Sequence, residues 1–264
     1  MSETPVVFIT GASSGIGYAT ALAFATAGYH VVGTARRNDR LSQLGEGITN
    51  LNGNHGDFLA VTADVQSPDA LTQAVEQTIE RFGQLDYVVA NAGLGQRGSI
   101  IESDWADLDQ LLRTNMDGVL HTIRATVPAI RQSGKGGHII LISSIVYNMT
   151  SPYAASYAAS KAFVSSIAKS LRLELESDNI KVTEMLIGRT ESEFNSKRLG
   201  KSGYGKDGGS FPPHMPVENV AEAIVRATQS NRKAITLRWI DRLILLGNLI
   251  TPNLIGRRAL KQYK

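Results

Sequence analysis

Apolar and β-branched residues recur along the chain in seven short runs: PVVFIT (5–10), HVVGTA (30–35), DFLAVTA (57–63), LDYVVAN (85–91), HIILIS (138–143), KVTEMLI (181–187) and AITLRW (234–239). Between them the pattern lengthens to a helical period over roughly 14–27, 67–83, 104–132, 152–177 and 217–231. Runs that are apolar almost throughout, separated by segments long enough for a crossover helix, predict parallel strands covered on both faces. Turn chemistry marks the ends. Gly28 stands where a residue just past a helix C-terminus is favoured, and Ser67-Pro68 reads as N-cap and first helical residue. The alternation predicts an α/β fold built as one domain over residues 1–264, doubly wound around a seven-stranded parallel sheet.

Two segments fall outside this alternation. SKRLGKSGYGKDGGSFPPHMP (196–216) is rich in Gly, Lys and Pro and has no periodicity; so long an irregular stretch inside a compact domain is expected as a substrate lid. RWIDRLILLGNLITPNLIGRRALKQYK (238–264) places Trp239, Ile240, Leu243, Ile244, Leu246, Leu249 and Ile250 at helix-like spacing before Pro252 breaks the pattern. Its uninterrupted apolar stretch is shorter than the ~18 residues of a membrane span. Three readings stay open for it: a cover over the substrate pocket or a subunit contact, a peripheral membrane contact with its arginines toward anionic headgroups, or ordinary core packing.

Composition narrows the class. A 42% hydrophobic chain with 25 glycines and eight prolines is globular, neither collagen-like nor disordered. The absence of cysteine excludes disulfides, thiolate metal sites and a cysteine nucleophile, and no metal is expected. Formal charge is +3, yet residues 238–264 carry Arg238, Arg242, Arg257, Arg258, Lys261 and Lys264 against Asp241 alone, which is +5 for the tail and −2 for the rest. The basic character therefore belongs to the tail, and nucleic-acid binding is not expected. MSETPVVFIT lacks a basic stretch followed by an apolar core, so a cytoplasmic location is expected, with peripheral membrane association through the tail as the open variant.

Chemistry begins where the first strand meets the first helix, at TGASSGIG (10–17). Gly11, Gly15 and Gly17 let the backbone turn sharply and approach a pyrophosphate, and the free amides at the helix N-terminus, within Ser13, Ser14, Gly15 and Ile16, favour negative charge. This strand, loop and helix at the head of a doubly wound pattern make the expected fold Rossmann-like, although the spacing differs from GxGxxG. The second strand ends in TARR. Arg36 and Arg37 match a 2′-phosphate in charge and bidentate geometry, where an acid would take a ribose 2′-hydroxyl, so NADP(H) is expected over NAD(H).

YAASYAASK (153–161) writes one unit twice before a lysine. Residues four apart on a helix lie about 6 Å apart along one face and residues eight apart about 12 Å, so Tyr157 shares a site with Lys161 and Tyr153 does not. Ser151 and Pro152 are expected to cap and open this helix, with Tyr153 at its mouth. Lowering a phenol pKa from about 10 to about 7 takes roughly 4 kcal/mol. An ammonium about 4 Å away at an effective dielectric of about 20 supplies about that.

Taken together and in order, TGASSGIG, NAG at 91–93 and a serine thirteen residues before YxxxK resemble the short-chain dehydrogenase/reductase family, over about residues 5–230. The resemblance implies Ser144, Tyr157 and Lys161 as the catalytic set, with Tyr157 as general acid/base, Ser144 orienting the substrate oxygen and Lys161 also on the ribose hydroxyls. It implies Asn115, in RTNMDG, as holder of a proton-relay water. Asp64 and Val65 would lie near the adenine, and Asn91, Ala92 and Gly93 along the cofactor. The family's Pro-Gly after the sixth strand is here Ile187-Gly188, which leaves Gly188, Thr190 and Ser192 as candidate contacts for the nicotinamide amide. Tyr147 and Tyr153 are expected in the wall of the substrate pocket, with Ser144 and Tyr157. The implied function is NADP(H)-dependent interconversion of a carbonyl and an alcohol on a hydrophobic small molecule, by a homodimer or homotetramer formed through the helices at 104–132 and 152–177. The alternative is a non-catalytic NADP(H)-binding sensor; loss of Ser, Tyr or Lys would favour it, and all three are present.

Overall fold

Each of the seven apolar runs is a strand in the computed structural model, which describes residues 4–53, 55–194, 196–200 and 212–261. The strands are β1 (Val6–Thr10), β2 (His30–Ala35), β3 (Phe58–Thr62), β4 (Tyr87–Ala90), β5 (Gly137–Ser144), β6 (Ile180–Ile187) and β7 (Ala234–Thr236). They form one sheet, parallel throughout, in the order β3-β2-β1-β4-β5-β6-β7. β1 is buried along its whole length because both sheet faces carry helices, as its unbroken apolar sequence requires. One apolar core includes Phe8, Leu71, Leu85, Val119, Ile130 and Val164; the other includes Ile9, Phe24, Leu41, Leu44, Ile140 and Ile224. The fold is a single Rossmann-like α/β domain.

The helices are α1 (Gly15–Thr26), α2 (Asn38–Thr49), α3 (Pro68–Phe82), α4 (Trp105–Leu112), α5 (Gly118–Ser133), α6 (Ala155–Glu174), α7 (Val217–Thr228), α8 (Trp239–Ile250) and α9 (Pro252–Leu260). α3 begins and ends as its sequence dictates: the Ser67 hydroxyl accepts from the Ala70 amide at 3.2 Å, Pro68 occupies the first turn, and Gly83 closes with φ 78°. α2 is absent from the periodicity reading. Gly45 and Gly47 dilute its pattern, but Leu41, Leu44 and Ile48 recur on one face and are buried. The glycines leave room for neighbours, since a Cβ at Gly45 would stand 3.2 Å from the Phe58 ring.

The single helix expected over 104–132 is interrupted. Residues Arg113–Asp117 form a π segment between α4 and α5, and this local widening turns Asn115 inward. α6 also starts later than Ser151-Pro152 implies: its N-cap is Ala154, and Tyr153 precedes the helix in a left-handed conformation, φ 57°. The run at 234–239 is a strand only to Thr236, because Arg238 already caps α8.

The sheet order reverses direction between β1 and β4, and at such a switch point the carboxyl ends of adjacent strands leave a crevice between diverging loops. The glycine loop after β1, residues 91–93 after β4 and Ser144 at the end of β5 all open onto that edge.

Candidate active site

The glycine loop is shaped by contacts that exclude a side chain. A Cβ at Gly17 would lie 2.3 Å from the Gly11 carbonyl oxygen, and one at Gly11 would lie 2.9 Å from Ala92 Cα, with Gly11 already at φ 70°. Asn91 ties the loops together: its side-chain amide donates to the carbonyls of Thr10 (3.0 Å) and Gly11 (3.3 Å), and its backbone N–H donates to Thr10 Oγ1 (3.1 Å). Ser14 N-caps α1 without a side-chain cap bond, and no acid stands in the first turn. The amides there are available to an anion, and the bare backbone at Gly11, Gly15 and Gly17 gives a pyrophosphate close approach, so these residues fit a dinucleotide. Ile16 faces the core instead, packing against the cluster that holds Ile9 and Phe24.

Beside this loop, Arg37 donates to Ser13 Oγ (3.1 Å) and Ser14 Oγ (2.9 Å) and lies 3.7 Å from a Glu193 carboxylate oxygen. Arg36 lies 3.8 Å from Asp64. Both guanidinium groups thus stand at the end of β2, anchored on the loop and its neighbours. Glu193 itself is held below the usual carboxylate range by its hydrogen bond and charge contact with Lys197. Asp64 accepts from the Gln66 amide at 3.0 Å, and Val65 packs on Gly118, where a Cβ would come within 2.6 Å of its methyl.

Ser144 ends β5, and its hydroxyl donates to the Ile187 carbonyl (3.0 Å) across the β5–β6 ladder while lying within hydrogen-bonding reach of Tyr157. Lys161, one helical turn beyond Tyr157, is 5% exposed and donates to the Ile142 carbonyl at 2.9 Å. Its Nζ lies 5.9 Å from the Tyr157 ring centroid. Burial with no carboxylate partner pulls the lysine down to about 8. The tyrosine ring keeps some exposure, but its oxygen is surrounded by protein; desolvation pushes it up to about 12, with the Ser144 hydrogen bond opposing. At Tyr157 desolvation thus outweighs any lowering by Lys161, whose ammonium is drawn to the Ile142 carbonyl. Phe194 covers the tyrosine at 5.7 Å between centroids.

Asn115 is clamped. Its Oδ1 accepts from the Leu94 amide (2.8 Å), while its Nδ2 donates to the Leu94 carbonyl (2.9 Å) and to Ser160 Oγ (3.0 Å). Both amide hydrogens are thereby used, so only an oxygen of Asn115 is left to hold a water. The side chain fixes the 91–94 loop against α6. A Cβ at Gly93 would lie 3.3 Å from Asn115 Oδ1 and 3.6 Å from Lys161 Nζ, so glycine keeps the approach to the lysine open.

The two other tyrosines part company. Tyr153 lies beside the loop after β4, its carbonyl accepting from the Gly98 amide at 2.9 Å. Tyr147 turns toward Lys169, whose Nζ is 5.9 Å from its ring, and lines a cavity of about 620 Å³ with Ala158, Ala162, Asn248 and Leu249, on a wall that includes neither Ser144 nor Tyr157.

After β6, Thr190 donates back to the Gly188 carbonyl (3.1 Å) and pairs with Met215. Gly188 is pressed by the tail: a Cβ there would meet Arg238 Nη2 and Asp241 Oδ2, each at 2.5 Å. Arg238 chelates Asp241 through two 2.8 Å bonds and also donates to the Pro213 carbonyl. Sequence reasoning missed this pair, and the i,i+3 spacing of Arg and Asp was its only signal. Asp241→Asn, which keeps one acceptor, is expected to cost about 1–2 kcal/mol; an unchanged urea midpoint would refute the pair's contribution. The lid expected over 196–216 is described only at its ends, with 201–211 outside the described residues. There Leu199 bridges Gln96, and Met215 bridges Thr190.

Comparisons with known proteins bear on the family and the fold. The family model for short chain dehydrogenase matches residues 5–202. An 11-beta-hydroxysteroid dehydrogenase 1A of Arabidopsis thaliana is 34% identical over 262 residues, 95% of this chain and 73% of its own. Sulfoacetaldehyde reductase 2 of Chromohalobacter salexigens is 33% identical over 196 residues, 74% of this chain and 76% of its own. Among solved structures, an alcohol dehydrogenase from Thermococcus sibiricus, complexed with 5-hydroxy-NADP, superposes with a TM-score of 0.74 at 26% identity, covering 89% of this chain and 94% of that one. The chain belongs to the short-chain dehydrogenase family of oxidoreductases.

Proposed function

We propose that the protein is an NADP(H)-dependent oxidoreductase that interconverts a carbonyl and an alcohol on a hydrophobic small molecule, with Tyr157 as general acid/base. The observation that carries this reading is the convergence of Ser144, Tyr157 and Lys161 at the carboxyl edge of the sheet, next to a loop whose Gly11 and Gly17 leave no room for a side chain. The relatives named above act, by their names, on hydroxysteroids and on sulfoacetaldehyde, which are alcohol and carbonyl chemistry.

A bound nicotinamide supplies or accepts the hydride. The chain's residues handle the oxygen and the proton. Ser144 donates a hydrogen bond that orients the substrate oxygen, exchanging its bond to Ile187 for it. Tyr157, held as the neutral phenol by burial, gives its proton to that oxygen in reduction. In oxidation it must first lose that proton, which requires positive charge beside it; Lys161 is the nearest source, and its value of about 8 makes the charge available near neutral pH. Phe194 shields the tyrosine and favours an apolar substrate surface. Gly11, Ser13, Ser14, Gly15, Gly17, Asn91, Ala92, Gly93, Gly188 and Thr190 would hold the cofactor, with Asp64 and Val65 toward its adenine and Lys161 on a ribose.

Arg37 supports NADP(H), since a guanidinium held by two hydroxyls is preorganised for a phosphate, and Arg36 adds a second positive charge at the end of β2. A carbonyl panel followed by cofactor absorbance tests the reading: turnover is expected with NADPH, and equal rates with NADH would refute the arginine role. Arg37→Ala should raise KM for NADPH by about tenfold to a hundredfold and leave KM for NADH nearly unchanged. The protein is further proposed to work as a homodimer or homotetramer through α5 and α6, and a monomer by light scattering would contradict that.

A further inference from the structure

α8 is amphipathic in the reverse sense. Its polar residues Asp241 and Asn248, seven apart, are its buried ones: Asp241 is chelated by Arg238, and Asn248 accepts from the Thr150 amide at 3.2 Å and donates to the Asn148 carbonyl. Trp239, Leu243, Leu246 and Ile250 follow at i, i+4, i+7 and i+11, a single stripe on the opposite side. All four are more than half exposed, Ile250 at 78%, and Leu249 and Leu254 extend the patch onto α9. A helix anchored by its polar face and presenting its apolar one has spent its polar groups on the protein and left its greasy surface for something else.

Charge identifies that partner. Arg242, Arg257, Arg258 and Lys261 are exposed around the stripe, and the one acid of the segment, Asp241, is committed to Arg238. A second copy docked through this segment about a twofold axis would bring these cations together, and the one acid of the segment is already held by Arg238. At 12 and nine residues, α8 and α9 span about 18 Å and 14 Å, well short of the ~30 Å of a hydrocarbon core, and among the described residues no helix is long and apolar enough to cross a membrane. We propose that α8 and α9 lie flat on an anionic lipid bilayer, with the stripe in the headgroup boundary and the four cations among the lipid phosphates and carboxylates. The segment that α8 grips, Asn148 to Thr150, runs between Ser144 and Tyr157, so the bilayer lies beside the catalytic edge.

The test is sedimentation of the full chain with phosphatidylcholine vesicles containing about a quarter phosphatidylserine. Binding is expected, weakened by about 0.5 M salt and on pure phosphatidylcholine. The Leu243→Glu, Leu246→Glu double variant should bind at least about 100-fold more weakly while turning over a water-soluble carbonyl as the unsubstituted chain does, which also certifies its fold. Trp105→Phe leaves Trp239 as the only indole, and its emission should shift to the blue with the anionic vesicles. Failure of the unsubstituted chain to sediment overturns the proposal, as does equal binding by the double variant. An oligomer that the double variant dissolves, with no vesicle binding, would assign the stripe to a second copy and overturn it too.

Discussion

Tyr157→Phe is expected to lower kcat by at least about 10³-fold, with NADPH affinity nearly unchanged. Phenylalanine keeps the ring that packs on Phe194 and lies beside Lys161, so site shape and lysine position survive. Only the proton is removed. Among the described residues none takes its place: Ser144 is spent on orientation, and Lys161 is held 2.9 Å from the Ile142 carbonyl. Single-turnover kinetics with NADPH, read beside cofactor fluorescence titration, separate the chemical step from binding. A variant retaining a tenth or more of the activity would remove Tyr157 from the role of acid.

The sheet was legible because parallel strands buried on both faces leave an unmistakable apolar run, and the observed strands lie within a few residues of the expected ones. α2 escaped because Gly45 and Gly47 interrupt a pattern whose apolar positions are only Leu41, Leu44 and Ile48. The π segment escaped for another reason: one inserted residue in a helix leaves no compositional mark, and its consequence, the inward Asn115, is visible only through Leu94 and Ser160. Spacing chose correctly between the two halves of YAASYAASK in geometric terms. Tyr157 stands a turn from Lys161, whereas Tyr153 lies before the helix with φ 57°. What spacing misjudged was energy. It counted the lysine's attraction and omitted the desolvation that pushes the buried phenol to about 12. Contacts brought in from remote sequence, such as Phe194 over Tyr157 and the packing of the Arg238–Asp241 pair on Gly188, had no local signature; for that pair only the i,i+3 spacing of Arg and Asp could be read.

Lys161→Met is expected to stabilise the fold while destroying turnover. In the folded chain Lys161 titrates at about 8 against 10.5 for an ordinary lysine, because its ammonium is buried and bonded to a carbonyl without a carboxylate. The unfolded chain binds this proton more tightly, so below pH 8 folding carries the full cost, about 3 kcal/mol. Between pH 8 and 10.5 the unfolded state holds more protons than the folded one, and stability rises with pH through that window. Methionine fills the space without the charge and forfeits the bond to Ile142, a loss of about 1 kcal/mol. The net gain at pH 7 is about 2 kcal/mol, which for a chain of this size raises Tm by about 4–8 °C. Tyr157 acts in the opposite sense at higher pH: its raised value favours folding below pH 10, and that contribution is lost as pH climbs through about 12. Measurements kept between pH 7 and 9.5 therefore isolate the lysine. Urea unfolding of both chains should show the advantage of Lys161→Met shrinking steadily as pH rises from 8. A variant less stable than the unsubstituted chain at pH 7 would mean that the ammonium is stabilised in the fold, and the catalytic charge beside Tyr157 would then come at no cost to stability.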